Sequence, residues 1–542
     1  MPSSNISFRD IPKISQLFSD YLYDFERVSA FFERTAGIDS FIERARRVTS
    51  QQFQRDAVAD VLVDQNRSLG AGETALANIE LLRDPESVVV ITGQQAGLFT
   101  GPLFTIYKAL TVIKLTARLR EKGLKVVPMF WIASEDHDFA EVNHCQVVNR
   151  EGQLQRITYT ACPPGEGKPV GHVELCAEIE NDITQLIAAL PESEFVPQIE
   201  QDLRASYHSG QNFAKAFAKL TTILFGKYGV ITIDPLDDRL KRIAGDIYAQ
   251  AISRVDDFAA GLLAANRSLE AAGYHAQVHV TQESVPLFYL ANGRRTALHR
   301  DHDGSFSAKS GSSKFETESL NERVAQCPAC FSPNVTLRPI VQDFLLPTLA
   351  YIGGPAEIAY FAQIRPGYQV LGRLEPLVLP RASMTIVERR LAKVMEKQNF
   401  AFKDLFQGPD AVITKVVEQS LDSGTAKAFE QSERVIGEEI EKLRGSLSGV
   451  DPTLAEALKS GREKIMYQLS NLKTRFINNR AKRDETIRQQ IDRMFAVLYP
   501  NKNLQEREIN ATYFLARYGY GLIDVLLNEI DLDSRDHKLV WL

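Results

Sequence analysis

Ser87-Val-Val-Val-Ile-Thr-Gly-Gln-Gln-Ala-Gly-Leu-Phe-Thr-Gly-Pro-Leu-Phe-Thr-Ile-Tyr-Lys108 changes character twice. Ser87–Thr92 is a short β-branched run of the kind that forms a strand buried on both faces. Gly93, Gly97 and Gly101 then allow tight turns and close backbone approach. From Pro102 the pattern becomes helical, with Tyr107, Leu110, Ile113 and Ala117 on one face. Gly123 ends that helix, and Lys125-Val-Val-Pro-Met-Phe-Trp-Ile-Ala133 supplies a second strand. Strand, helix and strand in this order make a right-handed βαβ unit.

Outward from this unit, further strands are expected at 229–234, around 276–280, at 287–290 and at 348–352, with helices across 176–227 and 237–272. Residues 281–345 read as an insertion holding short strands, a Ser310–Ser313 turn and Cys327-Pro-Ala-Cys330. Upstream, residues 11–83 form a helical lead-in, where Leu17, Tyr21 and Phe25 step by four. From about 385 the chain turns wholly helical. Phe429, Ile436, Ile440, Leu443 and Leu447 form one apolar seam, and Leu454, Leu458, Ile465, Leu469, Leu472 and Phe476 form another. Ser448-Gly-Val-Asp-Pro452 separates them, as expected for an antiparallel coiled-coil hairpin. The fold class is therefore α/β with a parallel-sheet core and insertions over 1–384, followed by a helical coiled-coil domain over 385–542.

Composition excludes several classes of protein. The 542 residues are 44% hydrophobic and 24% charged, with 63 basic and 69 acidic side chains, a net −6. This is neither a disordered chain nor a protein that coats nucleic acid by overall charge. Five cysteines make no disulfide framework and are expected to be unpaired, and no signal peptide or membrane span is apparent. A cytoplasmic location is expected. Residues 453–500 carry ten basic and five acidic side chains, a local +5, against −1 for 425–447. A solvated face pairing with the more acidic helix is favoured over a nucleic-acid arm.

Four blocks carry candidate chemistry. Thr92, Gly93, Gln94, Gln95, Thr100, Gly101 and Lys108 lie between strand and helix, where helix-start N–H groups favour a phosphate or carboxylate. A packing turn would need fewer polar groups. Trp131–His144 follows the second strand and holds Ser134, the run Glu135, Asp136, His137 and Asp138, and Asn143. Neighbouring carboxylates and a histidine suit acid–base work, although helix capping and solvent exposure also account for single members. His137, His144 and Cys145 are poorly spaced for zinc, and Cys327/Cys330 lacks a second pair, so no metal is assigned. Leu349–Ala362 repeats strand, glycine turn and helix, presenting Gly353, Gly354 and Glu357 for substrate or for the helix dipole. Leu379–Thr385 offers Arg381 and Ser383 as phosphate braces or as an ordinary boundary loop.

Taken in order, TGQQAGLFTGPLFTIYK, FWIASEDHDFAEVNH, SPNVTLRP (332–339), YIGGPAEIAYFAQI, LPRASMT and Leu504-Gln-Glu-Arg507 resemble the BshC family of cysteine-adding enzymes of bacillithiol biosynthesis. The resemblance covers nearly the whole chain. It implies a Rossmann-like core akin to class I aminoacyl-tRNA synthetases, a coiled coil used for homodimerisation, and ligation of cysteine to the amine of glucosaminyl malate. ATP or another nucleotide would serve as cosubstrate. In the synthetase comparison, Phe99-Thr-Gly-Pro102 takes the place of the HIGH-type loop without its histidines. Arg381–Thr385 takes that of the KMSKS-type loop with arginine for lysine. Thr100, Gly101, Lys108 and Arg381 would then face the anion, Asp136, His137 or Asp138 the amine, and Gly353, Gly354 and Glu357 the second substrate. Two other readings share these features: a different class I-like amino-acid ligase or nucleotidyltransferase, and a non-catalytic scaffold.

Overall fold

The computed structural model describes residues 5–33, 37–162, 165, 167–308, 314–419, 423–448, 452–483 and 485–542. The chain divides into two compact units. One runs to Thr385 and regains Leu504–Val540; the other holds Ile386–Asn503 and Trp541–Leu542.

The first unit is built on five parallel strands: β1 (Val88–Gln94), β2 (Val126–Ile132), β3 (Ile231–Ile233), β4 (Thr348–Gly353) and β5 (Leu377–Pro380). They lie in the order β5-β4-β1-β2-β3. Read from β3, this is the Rossmann order 3-2-1-4-5. The registers pair Val88 with Val126 and Gln94 with Ile132 on one side of β1, and Thr92 with Ile352 on the other. Val88, Val89, Val90 and Ile91 are fully buried, because helices cover both faces of the sheet. The helix α1 (Phe104–Arg120) follows β1, and Gly123 takes the left-handed backbone at its end, at φ 83°. It begins two residues after Pro102. Its buried surface is broader than one face, although Ala117 is exposed.

After β3 come α2 (Asp238–Ser253) and α3 (Val255–Ala271); α4 (Pro355–Val370) follows β4. The helical stretch 176–227 is three helices, Ile179–Ala189, Val196–Ser206 and Phe213–Phe225. The insertion forms a separate antiparallel sheet whose longest pair is Ser284–Ala291 with Arg294–Arg300. Its Ser310–Ser313 turn lies outside the described residues.

Three expectations are corrected. Residues 276–280 form no strand; the Val278 N–H and carbonyl are instead taken by the side-chain amide of Gln363 on α4, at 2.7 and 3.0 Å. The loop read at 379–385 begins as the edge strand β5 and runs on into a strand at Met384–Val387. Cys327 and Cys330 are disulfide-bonded, which the three-residue spacing permits across the short helical turn Pro328–Cys330.

In the second unit, α5 (Ser423–Ser448) and α6 (Pro452–Arg483) form the helical hairpin. Phe429 and Phe476 meet across it with ring centres 6.1 Å apart, and Arg462 lies 3.8 Å from Glu441. Part of the turn between the helices lies outside the described residues.

Candidate functional site

The connections of β1 and β4 leave the adjoining strands in opposite directions, which opens a crevice at their carboxyl ends. Lys108, one turn into α1, reaches back into it. Its ammonium donates to the Gly93 carbonyl at 2.8 Å and to Gln94 Oε1 at 2.9 Å, and it forms an ion pair with Glu357 of α4. Glu357 also accepts from the Gly354 N–H at 2.7 Å and from the Tyr351 hydroxyl. Burial raises the Glu357 carboxyl, but the Lys108 charge together with the hydrogen bonds from Gly354, Lys108 and Tyr351 outweighs it and holds the group below its ordinary value. Burial lowers Lys108 in turn. An ammonium has three protons, and here all three are taken. Lys108, Gly354 and Glu357 thus brace the crevice, joining β1 to α4. Thr92 does similar work, its hydroxyl donating to the Ile352 carbonyl at 2.8 Å. Gly353 accepts from the Arg381 N–H at 2.9 Å.

The loop after β1 is tightly bent. Phe99, Thr100 and Gly101 have φ of 51°, 79° and 67°. A Cβ on Gly97 would stand 2.8 Å from Gly101 Cα, so the two glycines permit the close approach. Asn510 holds the bend, its side-chain amide donating to the Phe99 and Gly101 carbonyls at 2.8 and 2.7 Å. The Gly101 N–H donates to Leu98 O at 2.9 Å, so it serves the turn. The Thr100 hydroxyl is buried without a hydrogen-bond partner among the described residues, and Thr100 lines a small pocket beside Ile199 and Leu203.

Beside this loop lies a cleft of about 360 Å³. Gln94, Gln95 and Gly101 line it, together with Thr105, Glu141, His144, Gln146, Arg507 and Glu508, which the sequence reading did not select. Thr105 is 1% exposed, and its hydroxyl has no hydrogen-bond partner among the described residues. It sits in the first turn of α1, where the helix favours an anion. Gln95 of the same lining donates to Asp136 at 2.6 Å and Glu141 at 2.9 Å.

The four consecutive ionisable residues separate by role. Asp136 accepts from the His137 N–H at 2.7 Å and lies 3.7 Å from Arg295 of the insertion. Burial pushes its carboxyl up, yet hydrogen bonds from His137 and Gln95 and the Arg295 charge hold it well below the usual carboxylate range. Arg295 Nη1 is 3.2 Å from His137 Nδ1, and its guanidinium covers the Phe288 ring at 3.9 Å. Glu135 turns into the interior, ion-paired with Lys241 of α2, which also donates to Phe331 O at 2.9 Å. Asp138 is exposed at the start of the short helix Phe139–Val142. Ser134 donates to Asp234, whose carboxyl burial raises. Asn143 donates to Tyr159 O at 2.9 Å. His137, His144 and Cys145 form no metal-spaced group among the described residues.

Arg381 and Ser383 face another cavity, of about 290 Å³, bordered by Tyr21, Phe41 and the 529–538 segment. Both bond to buried Glu506: Arg381 at 2.7 Å and the Ser383 hydroxyl at 2.8 Å. Ser383 and Thr385 each lie 2.8 Å from a ring nitrogen of His537, whose imidazole burial pushes down to about 4. The residues grouped by sequence as one anion site therefore occupy a brace, a cleft and this second network.

The family comparisons match these blocks. The N-terminal Rossmann-like domain of bacillithiol biosynthesis BshC matches residues 1–382, and its C-terminal coiled-coil domain matches 384–542. BshC of Koribacter versatilis, named a cysteine ligase, is 38% identical over 96% of this chain and 97% of its own. BshC of Salinibacter ruber is 34% identical over 97% and 96%, and that of Bacillus cereus 30% over 96% and 97%. A crystal structure of an arginyl-tRNA synthetase from Campylobacter jejuni aligns with 85% of this chain and 98% of its own at 11% identity, with a TM-score of 0.23. With both domain models in sequence and full-length relatives at this identity, the chain belongs to the bacillithiol biosynthesis BshC family.

Proposed function

We propose that this chain is a cysteine ligase that joins cysteine to the amine of glucosaminyl malate, with ATP or another nucleotide as cosubstrate, acting in the cytoplasm as a homodimer. The observation that carries the reading is a single cleft lined by groups suited to an anion and by groups suited to an amine. The start of α1, with the Thr105 hydroxyl, and Arg507 are of the first kind. Glu141 and Glu508 are of the second, and Gln95 of the lining ties Glu141 to Asp136. The names of the relatives support cysteine as the substrate.

Amide formation in water requires a leaving group on the carboxylate, such as a phosphate or an adenylate. The start of α1 suits that anion, and Arg507 would offset charge that develops on it. Asp136 stays ionised and therefore binds the ammonium of the amine substrate. Its depressed carboxyl makes it a weak base, so the amine's proton passes to His137 or Asp138, the more exposed members of the cluster. Purified protein supplied with cysteine, glucosaminyl malate and each of several nucleotides tests the reaction by mass spectrometry of the amide. Product with at least one nucleotide is expected, and its absence with all of them refutes the ligase reading. Asp136→Asn should lower kcat/KM by about 10- to 100-fold, the loss of one charge-assisted hydrogen bond.

A further inference from the structure

Cys162, Cys176 and Glu178 lie outside the machinery described so far, and their ligating atoms are all within 4.8 Å of one another. They come from two separate stretches of chain. Cys162 follows the hairpin strand Leu154–Thr158, while Cys176 and Glu178 precede the helix Ile179–Ala189. Cys162 Sγ is 3.7 Å from Glu178 Oε2. Glu178 occupies the cap position of the helix, but its side chain makes no capping bond and is turned to the thiols. Fully buried Tyr159 fixes the second stretch. Its hydroxyl accepts from the Cys176 N–H at 2.9 Å and lies 3.2 Å from Cys176 Sγ.

We propose that Cys162, Cys176 and Glu178 form a binding site for a zinc-class divalent cation. Two sulfurs select zinc over magnesium or calcium, and a carboxylate completes three protein ligands. Zinc–sulfur bonds of about 2.3 Å bring tetrahedral ligands to roughly 3.3–3.8 Å apart, so the three side chains need close by only about 1 Å. On binding, two Zn–S bonds form and the two thiol protons leave to solvent. The site lies next to the cleft in the chain's connectivity, because Tyr159 O accepts from Asn143, the neighbour of cleft residue His144. The ion would tie Cys162 to the start of the helix Ile179–Ala189.

Full-length protein reduced with a phosphine is exposed to zinc or cobalt and desalted, and bound metal is measured. The same is done in a Cys327→Ser/Cys330→Ser background, so that the second cysteine pair supplies no ligands. About one zinc per chain is expected in both, with a thiolate-to-cobalt charge-transfer band. Cys162→Ser and Cys176→Ser should each lower retained zinc at least about tenfold and abolish the band, while Glu178→Gln weakens binding and keeps the band. Cys145→Ser should change neither, and circular dichroism confirms that each variant folds. Failure to retain metal in the folded Cys327→Ser/Cys330→Ser protein, retention that survives Cys162→Ser or Cys176→Ser, or a Cys162–Cys176 disulfide that persists in the reductant overturns the proposal.

Discussion

Lys108 has three acceptors for its three protons, and Glu357 depends on it for charge balance. Lys108→Met leaves a buried carboxylate uncompensated and should cost about 3–5 kcal/mol in urea unfolding; adding Glu357→Gln should recover part of this. Thr105 behaves in the opposite way. Its hydroxyl makes no hydrogen bond in the fold, so Thr105→Val should leave the melting temperature unchanged or higher. It should nevertheless weaken binding of a phosphate-bearing ligand by roughly 3- to 10-fold, the value of one neutral hydrogen bond. His537 gives a pH signature. Folded, its pKa is lowered to about 4 by burial, against an ordinary 6.5. As pH falls from 6.5 to 4 the unfolded chain takes up a proton that the folded chain refuses, so this residue's contribution to stability falls. The loss is about 3 kcal/mol. Asp343, raised to about 6 by burial, works the other way over part of the window, so the measurement is a difference. The stability gap between wild type and His537→Gln, followed by urea unfolding, should narrow by that amount from pH 7 to pH 4.

At the scale of elements, the loop between β1 and α1 shows what the sequence makes legible. The β-branched run, the glycines and the helical spacing identify β1, the bend and α1, because each follows from local backbone preference. The same holds for β2 and β4. By contrast, β5 is short and half-buried, and its pattern does not distinguish an edge strand from a loop. The site is less legible than the fold, because its partners come from afar. Asn510 reaches the bend from more than 400 residues away, Arg295 reaches Asp136 from the insertion, and Arg507 enters the cleft from the C-terminal segment. Leu504–Arg507 carries a family signal, but nothing in its local pattern assigns it to the cleft. Lys108 and Glu135 have the right chemistry for function and are committed to ion pairs that only the packing reveals. Asn510→Ala removes both bonds that hold the loop's left-handed backbone. It should cost about 1–3 kcal/mol for each carbonyl left unpaired, with kcat falling in parallel.

At the scale of the whole molecule, the chain leaves the first unit after Thr385 and returns to it at Leu504, so the cleft is complete only once the C-terminal segment is in place. The intervening hairpin leaves large apolar side chains uncovered: Leu443 is 50% exposed, Ile465 46% and Leu472 57%. A second copy of the chain covers them in the proposed homodimer. Light scattering should give twice the chain mass, and Ile465→Lys with Leu472→Glu should shift the protein to monomer. The chemistry itself is read out by the thiol profile of a strain lacking this protein. Ligation of cysteine to glucosaminyl malate predicts loss of bacillithiol with accumulation of glucosaminyl malate, restored by the wild-type chain but not by Asp136→Asn. Bacillithiol at the parental level, without that accumulation, would contradict it.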